Sequence, residues 1–277
     1  MYTVTDREFR AFQTLVDDEV GIHLTPAKKA LLVGRLSRRL RALGLESFTD
    51  YFDHVLRDPA ERVHMIDALC THETQFFREP QQWEFLRARV YPAWQAAAAA
   101  GTRPRRIRAW SAACSSGEEP YSLAMSLLTH LSPEEGWSIE IAATDLSTKI
   151  LARAEAALWP IEKASSIPDA LRRRFMLRGV GAQEGRMKVG PEIRSVVRFA
   201  RLNLHAEACP IAGPFDLIFC RNVLIYFGAQ AKAAVIARLA ARLAPGGLLL
   251  LGHAETLSGI TDRLRSVGPT VYARRED

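Results

Sequence analysis

The chain of 277 residues is 48% hydrophobic and 25% charged, the balance of an ordinary globular protein long enough for one large domain or two. No apolar run approaches the roughly 18 residues of a membrane span, and the opening MYTVTDREFRAF mixes acids and bases where a signal peptide has an apolar centre, so membrane insertion is not expected. The net charge of +6 suits an acidic partner, but zinc-finger spacing and an aromatic-basic RNA signature are both missing, so nucleic acid is not the expected one.

Residues 1–75 read as a small helical domain. Thr5 or Asp6 is placed to cap EFRAFQTLVDDEV, Pro26 opens a basic helix, and Gly44 stops it. Between Glu19 and Glu46 there is no acid, while Lys28, Lys29, Arg35, Arg38, Arg39 and Arg41 are all basic. At about 100° per residue, Leu32, Leu36, Leu40 and Leu43 share one stripe, with Lys28, Arg35, Arg38 and Arg41 on the other side. That face is either solvated surface or a docking face for an acidic helix or for phosphates. SFTDYFDHVL and ERVHMIDALC continue the helical pattern, and residues 76–104 read as a linker and a connecting helix closed by AAAAAGTRP.

From residue 105 the texture changes. RIRAW, SIEIAATD (138–145), FDLIFC (215–220) and LLLLG (248–252) are strand-like and alternate with helical segments, which argues for an α/β fold with a parallel sheet covered on both faces. APGG (244–247) reads as a tight return turn before the last of these strands. Residues 172–202, with turn glycines between short apolar runs, read as a small antiparallel insertion looping at Gly179–Gly185. Cys70, Cys114, Cys209 and Cys220 lack metal-type pairing and read as reduced thiols of a cytoplasmic protein; the 7 histidines show no ligand spacing, so no metal is expected.

In open α/β sheets ligands bind beyond the carboxyl ends of the strands. SAACSSGEEPYS (111–122), Asp145, Asn203 and the CRN of 220–222 all fall there. Asp145 suits two ribose hydroxyls, or caps the helix that follows. Glu118 or Glu119 suits an ammonium group, or complements a helix dipole. One glycine, Gly117, stands where a dinucleotide fingerprint has three. Two acids beside the loop repel a diphosphate but suit a ligand with amino and sulfonium cations, so the loop fits S-adenosylmethionine better than a dinucleotide.

THETQFFRE (71–79), WSAACSSGEEPYS (110–122), ATD (143–145), NL (203–204) and FDLIFCRNVLIYF (215–227), in that order, resemble the chemotaxis receptor methyltransferases, the CheR family; LAPGGLLLLGHAE and TVYAR fit its closing strands. The resemblance covers nearly the whole chain. It implies a Rossmann-like S-adenosylmethionine methyltransferase sheet (105–277) with a helical N-terminal domain and a β-subdomain insertion. It also implies methyl transfer to chemoreceptor glutamates, giving methyl esters and S-adenosylhomocysteine. His72, Thr74, Arg78, Glu118, Glu119, Asp145, Asn203, Leu204, Arg221 and Asn222 match cofactor-side residues, His72 standing where many relatives have an amide. Arg78 and Tyr226 match residues near the transferring methyl and the acceptor. Arg35, Arg38 and Arg41 face a receptor helix on this reading. RGVGAQEGRMK resembles the branch that captures a receptor C-terminal pentapeptide through Arg178, Gly179, Gly181, Gly185 and Lys188, the last in place of a usual arginine. The alternatives are a methyltransferase with another acceptor and a non-catalytic receptor-binding scaffold.

Overall fold

The computed structural model describes residues 2–275; Met1, Glu276 and Asp277, which the expected domain ranges include, lie outside the described residues. Four helices, α1 (Asp6–Val20), α2 (Lys29–Leu43), α3 (Phe48–Arg57) and α4 (Pro59–Leu69), form the N-terminal unit. Thr5 begins α1 with a reciprocal cap: its hydroxyl accepts from Glu8 N at 3.2 Å, and the Glu8 carboxylate accepts from Thr5 N at 2.8 Å. Phe12, Leu32, Leu36, Leu40, Tyr51 and Met65 are fully buried between the helices, whereas Leu43, expected on the same stripe, is 37% exposed at the end of α2. Arg39 and the Tyr51 hydroxyl, the latter at 2.8 Å, hold the buried Glu61 carboxylate.

Arg35 departs from its expected place on a docking face. Its guanidinium donates to Leu69 O at 2.5 Å, Cys70 O at 3.0 Å and Thr71 Oγ1 at 3.0 Å. The last carbonyls of a helix lack intrahelical partners and carry the negative end of its dipole, so a cation docks there readily. Arg35 therefore fastens α2 to the end of α4. Arg38 and Arg41 remain exposed.

The segment expected as a linker and connecting helix is largely helical and packs into the second unit. Helix α5 (Pro80–Phe85) runs through a π-turn at Leu86–Val90 into α6 (Tyr91–Ala99), and Phe76, Trp83, Leu86 and Tyr91 join the buried cluster on one face of the main sheet. There follow β1 (Arg106–Ala112), α7 (Glu118–His130), β2 (Ser138–Asp145), α8 (Thr148–Ala156), β3 (Leu158–Pro160), α9 (Asp169–Phe175), β4 (Met176–Arg178), β5 (Arg186–Val189) and α10 (Pro191–Ser195). The chain closes with β6 (Val197–Arg201), β7 (Phe215–Cys220), α11 (Ala229–Ala241), β8 (Leu243–Leu251), β9 (Leu264–Gly268) and β10 (Val271–Arg274).

The 7-stranded sheet has the order β6-β2-β1-β7-β8-β10-β9; its first five strands are parallel, and β10 runs antiparallel to both of its neighbours. Alternation along β7 explains the two cores. Leu217 and Phe219 pack toward Leu123 and Leu127 of α7, while Ile218 and Cys220 pack toward Val235, Ile236 and Leu239 of α11. This is a Rossmann-like α/β sheet.

Two boundaries differ from the sequence reading. The antiparallel insertion is the 3-stranded sheet β3-β5-β4, so it begins at Leu158 and ends at Val189. Residues 197–201 belong to the main sheet, where Val197 to Arg201 pair in parallel with Ile141 to Asp145. The APGG segment lies inside β8 as a bulge: Phe215 pairs with Leu243, and Leu217 with Leu248. Among the described residues no helix is long and apolar enough to cross a membrane.

Candidate active site

A cavity of about 200 Å³ lies beyond the carboxyl ends of β1, β2 and β7 and is roofed by the helical unit through Val20, Ile22, Leu24, Lys28 and Leu31. It brings together His72, Thr74, Arg78, Glu119, Asp145, Asn203, Leu204, Arg221, Asn222 and Tyr226. The backbone around it is bent. Ala113 and Ser115 after β1, Phe77 and Glu79 on either side of Arg78, and Asn222 after β7 all have φ between 50° and 65°. Such non-glycine conformations cost free energy and cluster where a chain is shaped for a ligand.

Two carboxylates sit at the strand ends. Asp145 Oδ2 accepts from Ser115 N at 2.8 Å, and Oδ1 from Ser147 N at 3.1 Å. Helix α8 is capped by Ser147, whose hydroxyl accepts from Ile150 N at 3.2 Å, so the capping alternative for Asp145 falls away. Burial pushes the Asp145 carboxyl above its ordinary range, against the pull of those amides and of His72. Burial pushes His72 down, with Asp145 and Asp67 opposing.

Glu119 accepts from Ser111 Oγ at 2.6 Å and from Arg221 Nε at 2.7 Å. Arg221, stacked near Trp83 and Phe219, also donates to Arg78 O at 2.6 Å and Gln82 Oε1 at 3.1 Å. The sequence left Glu118 and Glu119 unresolved, and the fold separates them. Glu119 lines the cavity, whereas Glu118 is fully buried, bonded to Ser116 Oγ at 2.6 Å and to the Lys163 ammonium. Successive residues on a helix point about 100° apart, so one acid faces the rim and the other the β-subdomain. The same ammonium donates to Thr74 O at 3.3 Å.

The segment before α5 presents Arg78. Its carbonyl accepts from Arg221 and, at 2.9 Å, from Trp83 Nε1, and Phe77 N donates to Ser122 Oγ at 3.0 Å. The Arg78 guanidinium makes one hydrogen bond, from Nη1 to Glu73 O at 3.2 Å, and its other donors have no partner among the described residues. The backbone is held while the fork stays available. Tyr226 also lines the cavity, with Lys28 Nζ 5.2 Å from its ring centre.

Two comparisons bear on this arrangement. The family described as CheR methyltransferase, SAM binding domain, matches residues 72–273, and its all-alpha domain matches residues 7–70. The chain belongs to the CheR methyltransferase family. Chemotaxis protein methyltransferase 2 of Pseudomonas aeruginosa is 39% identical over 97% of this chain and 93% of its own length. The chemotaxis protein methyltransferase of Escherichia coli is 36% identical over 99% of this chain and 93% of its own.

S-adenosylmethionine is the cofactor of this CheR chain, and the cavity fits it. Asn222 Oδ1 is buried without a partner among the described residues, an acceptor open to a donor such as an amino group. Glu119 and Asp145 keep lone pairs beyond those already used and give the cavity the negative character a sulfonium needs. Asn203 is already engaged within the protein. Its Nδ2 donates to Glu19 O at 2.7 Å, and its Oδ1 accepts from His205 N at 2.9 Å. The side chain thus ties the segment after β6 to α1, while Asn203 and Leu204 both line the cavity. Sequence reasoning missed Lys163, Ser115 and Glu255; Ser115 lay inside the quoted SAACSSGEEPYS and Glu255 inside LGHAE, just past a parallel strand, whereas Lys163 was in no motif.

Proposed function

We propose that the protein transfers a methyl group to glutamate side chains of chemoreceptors in the cytoplasm, forming glutamyl methyl esters. The observation that carries this reading is the uncommitted Arg78 fork at a cavity whose walls hold Asp145 and Glu119. When bound, S-adenosylmethionine supplies a sulfonium-activated methyl. Asp145 would hold the ribose hydroxyls, and Glu119 with Asn222 the amino-acid end. A glutamate acceptor is ionised at pH 7, so the protein needs no general base. Its task is orientation: Arg78 grips the acceptor carboxylate by forked hydrogen bonds, and Tyr226 shapes its approach. Both side chains are half-buried, and a bound acceptor would cover them further, which favours a reaction that neutralises charge.

The test is Arg78→Ala, read by labelled methyl transfer to receptor fragments alongside titration with S-adenosylhomocysteine. Transfer is expected to fall at least about a hundredfold with nucleoside affinity within about twofold, because an orienting group acts on the bound acceptor. Unchanged transfer rates overturn the assignment.

Receptor recognition is assigned to two surfaces. Arg38 and Arg41 on α2 would meet acidic receptor helices, with Arg35 removed from that set by its internal bonds. The free edge of β4 would take a receptor C-terminal pentapeptide as an added strand. In support, Leu177 is 55% exposed there, and Met176, Met187, Arg172, Arg173 and Arg178 line a groove alongside. Gly179 suits a tight approach, since a Cβ on it would lie 1.9 Å from Gln183 O. Gly181 and Gly185 shape the exposed turn that follows, with φ of 57° and 76°. Lys188 is on the central strand β5, half-buried beside Leu177, so Arg178 is the better placed cation for a terminal carboxylate. Absence of binding to a receptor-tail peptide at high micromolar concentration overturns this part.

A further inference from the structure

Glu255 follows β8 and is 2% exposed. Its partners are backbone amides: Oε2 accepts from Asn222 N at 2.9 Å and Gly252 N at 2.7 Å, and Oε1 from Leu224 N at 2.7 Å and Ile225 N at 3.3 Å. Both carboxylate oxygens are thereby filled by N–H donors of the protein itself. The donors come from two loops, one after β7 and one after β8, so a single side chain joins neighbouring strand ends at the rim.

The loop it holds is the one that matters. Residues 221–226 carry Arg221, Asn222 and Tyr226 into the cavity. Asn222 stands at φ 59°, a conformation that needs support from its surroundings. The amides of Asn222, Leu224 and Ile225 converge on one carboxylate, which sets the path of the backbone between the two side chains. Gly252 makes room for this: a Cβ there would lie 2.8 Å from Asn222 N and 2.9 Å from Glu255 Oε2.

We propose that Glu255 is a positioning residue for methyl transfer, its buried carboxylate fixing the 221–226 loop so that Asn222 and Tyr226 face the cofactor and acceptor. The inference rests on the cavity being the S-adenosylmethionine site and is independent of which acceptor is used for its binding readout. It assigns no contact between Glu255 and either substrate.

The decisive variant is Glu255→Gln. The amide keeps the shape of the side chain but turns one oxygen into a donor facing two N–H groups. At a temperature well below melting, with an unchanged circular dichroism spectrum, the dissociation constant for S-adenosylhomocysteine is expected to rise about tenfold or more, a loss consistent with two hydrogen bonds. The KM for S-adenosylmethionine should rise and kcat fall, while the KM for receptor stays put. A merely structural residue would lower the melting temperature and leave this split absent.

Should Glu255→Gln fail to fold, Gly252→Ala presses on the same contacts while keeping the charge, and the same pattern is expected with smaller amplitude. In the wild-type protein, the amide resonances of Asn222, Leu224, Ile225 and Gly252 should move together on adding S-adenosylhomocysteine. A folded variant with wild-type affinity and kcat overturns the proposal, as do four amides that stay still. If the wild-type protein does not bind the nucleoside, the cavity assignment fails first and takes this inference with it.

Discussion

The strand rim and the two surfaces proposed to meet receptor are built on opposite plans. At the strand rim the side chains are buried and bonded before any ligand arrives: Asp145 to two amides, Glu119 to Ser111 and Arg221, Glu255 to four amides. On α2 and β4 the groups are exposed, as with Arg38, Arg41 and Leu177. A preorganised site loses little entropy on binding and is intolerant of small changes, whereas an exposed charged face acts over distance and is screened by salt. The difference suits the proposed pairing of one invariant small molecule with a large receptor acceptor.

Replacing a rim carboxylate should break this plan most severely. Asp145→Ala strands the Ser115 and Ser147 amides and removes the proposed ribose acceptor. Calorimetric titration is expected to show S-adenosylhomocysteine affinity reduced by about 3 kcal/mol, on the order of a hundredfold. A reduction under about threefold would mean that Asp145 serves the loop rather than the ligand. The exposed plan should yield less and depend on conditions. Arg38→Glu with Arg41→Glu is expected to slow receptor methylation on the order of tenfold at low ionic strength, with the gap closing at about 0.5 M salt. Equal rates at low salt would remove α2 from the docking surface.

The smallest effect is on pH. Burial holds His72 below its ordinary value of 6.5, so the folded chain refuses a proton that the unfolded chain accepts. The stability from keeping His72 neutral is complete above 6.5 and is lost as pH falls toward the depressed value. Asp145, raised above 3.8, runs the other way: its contribution is complete below 3.8 and is lost as pH rises through the raised value. Melting curves at about pH 7.5 and pH 5.5 should show a drop of a few degrees that His72→Gln reduces, the comparison of variants isolating one group. Identical drops would place the titration elsewhere.

Much of the main sheet was legible because its strands are bounded runs: 138–145 and 215–220 have the same limits in the sequence and in the fold. Asp145 and the Glu118–Glu119 pair were legible as candidates because strand ends and helix starts are where rim ligands lie, but which acid of the pair lines the cavity was not. What was hidden depends on contacts distant in the chain. Arg35 looks like any other arginine on a basic face until Leu69 and Cys70 arrive beneath it. Val197–Arg201 resembles the short strands before it, and only its pairing with β2 moves it to the main sheet. Glu255 lies in no periodic pattern, and its role follows from four amides, three of them about thirty residues away.

The roof has a consequence for turnover. Asn203 reaches Glu19 O, His23 N reaches Tyr226 O at 2.8 Å, and Ile22 bridges to Phe227, so the two units are stitched along one margin of the chamber. Spent nucleoside must then leave either by the unstitched side or by the parting of this seam. A fragment lacking the helical unit would keep its sheet yet hold its ligand in an open dish, and much of the grip would go with the lid.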